Sequence, residues 1–71
     1  MNLIQKRENY EEARDRILEQ LRLRPLTRNR LNQKVCLDYS QMSYMLFSLL
    51  QSNEIIFELK ENIFVFMINE K

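Results

Sequence analysis

The sequence predicts an α+β fold, mainly helical, with three helices followed by one β-hairpin. Three observations carry that expectation. Apolar residues recur at helical spacing between Tyr10 and Leu21, and again between Met42 and Leu50. Thr27 and Asp38 each follow a leucine and stand four residues before the first apolar residue of a new helix, so each marks a helix start. Beyond Asn53, two β-branched and aromatic runs, 55–59 and 63–68, flank Lys60-Glu61-Asn62, which is a hairpin signal.

The first helix is expected over 9–23. Tyr10, Ala13, Ile17, Leu18 and Leu21 form one apolar stripe, and Asn9 is the cap, with Glu12 closing a capping box. Glu11, Glu12 and Asp15 complement the positive end of the helix dipole, and Arg22 and Arg24 the negative end. Pro25 stops the helix by forcing Arg24 out of the helical region. Residues 1–8 are read as an N-terminal extension and 9–71 as one domain.

A short second helix follows. Thr27 is its cap, Leu26 and Leu31 form a hydrophobic staple, and Leu31 and Val35 face inward, which leaves Arg28, Arg30 and Lys34 pointing largely outward. The third helix repeats the device: Asp38 caps, Gln41 completes a capping box, and Leu37 staples to Met42. Met42, Leu46, Leu49 and Leu50 form its inner face; Ser40, Tyr44, Phe47 and Gln51 lie on another. The chain has no glycine, where average usage would give about five. Positive φ must therefore fall on asparagine or aspartate, and Asn53 and Asn62 are the expected positions, at the helix end and in the hairpin. The second strand is apolar on both faces, so it is either buried on both or meets a partner. Leu3 and Ile4 of the extension are candidates to cover it.

Composition narrows the function. A lone Cys36 excludes an intrachain disulfide, and the absence of histidine argues against zinc or any other metal. Beside Val35 and Leu37, Cys36 is expected to be a small buried apolar residue. One free thiol, no signal-peptide pattern and no apolar run near the ~20 residues of a membrane span predict a cytoplasmic protein with no membrane partner. No P-loop, histidine base or nucleophile–base pair is present, so neither enzymatic activity nor a cofactor is expected.

Charge is unevenly placed. Residues 22–34 hold Arg22, Arg24, Arg28, Arg30 and Lys34 and no acid, within a chain whose net charge is only +1. Five bases without an acid read as a grip for phosphate.

These segments, in this order, resemble the winged helix-turn-helix fold, and in particular the small archaeal-type winged-helix transcriptional regulators. ILEQLRLRPLTRNRLNQKV is similar to the family's first two helices, and CLDYSQMSYMLFSLLQSNEII to its third. Asn53 stands where the family has glycine, and IIFELKENIFVF fits the wing hairpin. The resemblance covers residues 17–66. It implies that the third helix lies in the major groove of double-stranded DNA, with Tyr39, Ser40, Gln41, Ser43 and Tyr44 as base or phosphate contacts. Arg28, Arg30 and Lys34 would hold phosphates, and Lys60 would be the wing's base. The reading is a sequence-specific, homodimeric regulator, since a dimer doubles the few phosphate contacts.

A second class of function follows from departures. The third helix carries no lysine or arginine, and the wing sets Glu58 and Glu61 beside Lys60. A winged helix can serve as a scaffold for protein contact. The patch would then comprise Tyr44, Met45 and Phe47 of the third helix with Phe64, Phe66 and Ile68 of the second strand.

Overall fold

The structure, a computed structural model, describes residues 10–70. Its elements are α1 (Tyr10–Leu23), β1 (Leu26–Thr27), α2 (Arg28–Lys34), α3 (Tyr39–Gln51), β2 (Ile55–Lys60) and β3 (Ile63–Ile68). The expected α+β class is observed: three helices, then a hairpin that joins β1 in a small antiparallel sheet of order β1-β3-β2. The topology is winged-helix-like. Asn9, Leu3 and Ile4, given roles above, lie outside the described residues.

Local chemistry explains the boundaries. Thr27 Oγ1 accepts from the Arg30 backbone N–H at 3.2 Å, satisfying one of the donors that a helix start leaves open. At α3, Asp38 Oδ1 accepts from the Gln41 N–H at 2.8 Å and Gln41 Oε1 accepts from the Asp38 N–H at 3.3 Å, a complete capping box. Leu26 is buried, and Leu37 packs partly buried against the core, so both staple positions are anchored. The far end of α3 closes with Asn53 at φ 62. There the Asn53 N–H reaches the Leu50 carbonyl at 3.1 Å and the Glu54 N–H reaches the Leu49 carbonyl at 3.0 Å. Those two bonds are the Schellman pattern, with asparagine in the place usual for glycine.

The core lies where the three helices meet the sheet. Ile17, Leu31, Met42 and Leu49 are completely or almost completely enclosed, with Ile55 from β2 and Leu26 from β1 closing the sheet side. One ion pair ties α1 to the start of the hairpin: Arg14 Nη2 donates to Glu54 Oε1, and the Ser52 hydroxyl donates to Glu54 Oε2 at 2.8 Å.

Four expectations need correction. Leu26–Thr27 not only opens α2 but pairs with β3, Leu26 opposite Phe66 and Thr27 opposite Val65; two residues are too short a run for sequence periodicity to register. The hairpin loop is two residues, not three. Lys60 is in β2 and pairs with Ile63, while Glu61 (φ 52) and Asn62 (φ 67) both adopt the left-handed conformation of a type I′ turn. Cys36 is exposed rather than buried, because Val35 is extended and buried, and the alternation of an extended segment turns the next side chain outward. Met45 is 3% exposed and belongs to the core. One residue before Leu46, it widens the buried stripe of α3 and is thereby removed from the expected surface patch.

Candidate nucleic-acid interface

The start of α3 and the whole of α2 carry the candidate residues. Tyr39, Ser40, Gln41 and Tyr44 are exposed on the first turns of α3, and Ser43 is half-buried beside them. α3 contains no charged side chain, so this face offers only neutral donors and acceptors. Arg30 and Lys34 are exposed on α2, and Arg22 and Arg24 are exposed at and just beyond the end of α1.

Arg28 is placed differently from the other bases. It is the first residue of α2, and its Nη2 donates to both the Tyr39 carbonyl and Ser43 Oγ, each at 2.8 Å. The guanidinium carbon lies 4.1 Å from the centroid of the Tyr39 ring, a cation–π stack. Two donors are committed to α3, and the remaining N–H groups of the guanidinium are left for another acceptor. Sequence reasoning gave Arg28 a phosphate role alone. Its second role, bracing α2 against α3, depends on a contact across eleven positions that no local pattern signals.

Gln41 is also partly committed. Its Oε1 is the capping acceptor, so one lone pair of that oxygen is used and the amide keeps two N–H donors and one further acceptor position. On the wing, Lys60 Nζ lies 3.7 Å from Glu58 Oε1, an exposed pair on one face of β2. Its charge is offset locally, which weakens Lys60 as a phosphate contact.

The expected protein-contact residues divide. Phe47 is 58% exposed and Tyr44 61%. Tyr44 meets Tyr10 edge-on with ring centroids 6.0 Å apart, and the Tyr10 hydroxyl lies 2.9 Å from Ser48 Oγ. Tyr10 was expected within the apolar stripe of α1; it sits at the rim, beside α3. Phe64 is exposed, whereas Phe66 and Ile68 are half-buried against the core. Phe57 makes edge-on contacts with Phe64 at 5.1 Å and Phe66 at 6.2 Å. Sequence reading missed Phe57 and Leu59 as surface residues. They share the core-facing side of the hairpin with Ile55, but the hairpin runs past the end of the core and leaves them in water.

Among the described residues no cluster of His, Cys, Asp or Glu could hold a metal ion, and no helix is long and apolar enough to cross a membrane. The chain matches no family model and no curated protein.

Proposed function

We propose that this chain is a sequence-specific binder of double-stranded DNA, a small homodimeric transcriptional regulator similar to the archaeal-type winged-helix proteins. The observation that supports it is the exposed, uncharged polar face at the start of α3, braced through Arg28 to a basic helix. In this reading Tyr39, Ser40, Gln41, Ser43 and Tyr44 meet base edges and nearby phosphates, while Arg30 and Lys34 hold phosphates on either side. Arg28 fixes the angle between the helices and gives its remaining donors to the backbone.

Fluorescence anisotropy against a random-sequence duplex at low and moderate salt tests this. Each phosphate contact contributes a slope of roughly −0.9 in log K against log salt, so Arg30→Ala with Lys34→Ala flattens the slope by roughly 1.8 per protomer. These two residues are chosen because neither makes the bracing contacts of Arg28. Absence of binding at both salts refutes the proposal.

A second reading is favoured by one observation: Tyr44 and Phe47 are large, exposed and adjacent on a helix without charge. They suit a protein-contact module, with Phe47 as the anchor. In that case the Arg30/Lys34 variant leaves complex formation unchanged, and Phe47→Ser abolishes it while the fold is retained.

A further inference from the structure

The sheet has two edge strands, β1 of two residues and β2 of six, so β2 carries the longer open edge. In the order β1-β3-β2, β2 has a neighbour on one side only. The pair that closes a two-residue turn is hydrogen-bonded, and bonded pairs then alternate along the hairpin. Lys60, Glu58 and Ile56 therefore direct their backbone groups toward β3, and the Asn69 N–H to Glu54 carbonyl bond at 3.1 Å continues the same parity. The N–H and C=O groups of Ile55, Phe57 and Leu59 face away. Ile55 is 1% exposed, so the accessible edge is Phe57 and Leu59.

Natural sheets blunt such edges with proline, bulges or unmatched charge. β2 has no proline, its register with β3 is unbroken, and its two charges have opposite signs, Glu58 and Lys60, on one face. That arrangement is self-complementary. When β2 meets a second β2 antiparallel about a two-fold axis, three registers bring the outward-facing backbones together, with the axis at Phe57, Glu58 or Leu59. With the axis at Phe57, Glu58 opposes Ile56 and the buried Ile55 would have to pair with Leu59. With the axis at Glu58, two carboxylates oppose each other. With the axis at Leu59, Glu58 faces Lys60 of the other copy, and Lys60 faces its Glu58, two opposite-charge cross-strand pairs. The other face then carries an unbroken apolar row, since Leu59 lies beside Phe64 within each hairpin and Leu59 meets Leu59 on the axis.

We propose that the open edge of β2 is the homodimer seam, joining two copies antiparallel with Leu59 on the two-fold axis and the sheets continuous across it. The occupant is a second copy of this chain because the edge's own charge order is complementary to itself in that register. The seam gives a surface to the homodimer in the proposed function, and rests on that part of it but not on DNA binding. It also takes Lys60 out of the phosphate set and leaves that work to the helices.

Sedimentation equilibrium of the full chain tests the seam with no DNA present, so its failure is separate from failure of the DNA reading. Lys60→Glu and Glu58→Lys each place like charges opposite one another twice per dimer and weaken association by at least about tenfold. The swapped variant, Glu58→Lys with Lys60→Glu, restores complementarity in this register and returns the dissociation constant to within about threefold of the wild type. All these side chains are exposed, and circular dichroism confirms that each variant folds. A wild-type chain that stays monomeric at about 100 µM overturns the seam. So do single reversals that leave the dimer intact, or a swap that fails to restore it.

Discussion

Glu61 occupies a backbone conformation that suits it poorly, and the cost is measurable. At φ 52 it is the first of two consecutive left-handed residues in the hairpin turn. For a residue with a Cβ, that conformation costs roughly 1–2 kcal/mol relative to the right-handed region. Glu61→Gly removes the clash but adds roughly 0.5–1 kcal/mol of backbone entropy lost on folding. The net expectation is stabilisation by about 0.5–1 kcal/mol. In a domain of this size that raises the melting temperature by roughly 2–8 °C. Glu61→Asn gives a similar gain, because asparagine tolerates the conformation without the entropy term. Glu61→Gln serves as the control: it removes the charge and keeps the backbone problem, so it leaves the melting temperature nearly unchanged. Thermal unfolding followed by circular dichroism at one fixed protein concentration measures all three. If glycine lowers the melting temperature, or glutamine raises it as much as glycine does, the effect is not one of backbone conformation and the reasoning fails.

Asp38→Ala removes the side-chain acceptor of the capping box and leaves the Gln41 N–H open; it destabilises by about 1 kcal/mol, read as a lower urea midpoint with an unchanged slope. Glu54 makes stability depend on acid. The bond from Arg14, followed by that from the Ser52 hydroxyl, holds its carboxyl below the ordinary value of 4.5. The folded state therefore binds the proton less readily than the unfolded state. The stabilisation is fully present above the unfolded value and is lost as pH falls through the lowered folded one. Urea midpoints of wild type and Glu54→Gln thus differ at pH 7 and converge in acid; a gap that widens as the pH falls below the ordinary carboxylate value would contradict this sign.

Much of the architecture was legible because the chain has no glycine. Positive φ had few places to go, so Asn53 and Asn62 marked a helix end and a turn, and both adopt it; Glu61 adopts it too, against the expectation that only asparagine or aspartate would, because a two-residue type I′ turn needs positive φ at both positions. The caps were equally readable, since Thr27 and Asp38 act on backbone groups within three residues. What escaped was non-local. β1 exists only because β3 lies beside it. The Arg28 contact with Tyr39 and Ser43 and the Arg14 contact with Glu54 join residues far apart in sequence. Met45 was misplaced because a helix face boundary is set by what packs against it, and Phe57 and Leu59 because a strand's inward side ceases to be buried where the core ends.

Charge explains why the two proposed surfaces belong together. Among the described residues, Arg16, Arg22, Arg24, Arg30 and Lys34 are exposed bases outside the ion pairs, and they lie on or beside the helices. One protomer neutralises at most a handful of phosphates, and α3 itself adds none. Under the proposed DNA reading, a monomer with so small an electrostatic term would hold DNA weakly at physiological salt. Joining two protomers makes the second half-site contact intramolecular, which multiplies affinity without any new base. The edge of β2 is suited to that linkage because it can join copies without consuming the basic helix or the neutral face of α3. If both proposals hold, a charge reversal at Lys60 would weaken DNA binding through lost dimerisation rather than through a lost phosphate contact. The two causes separate in the swapped variant, which has the same residue at position 60 and regains the dimer.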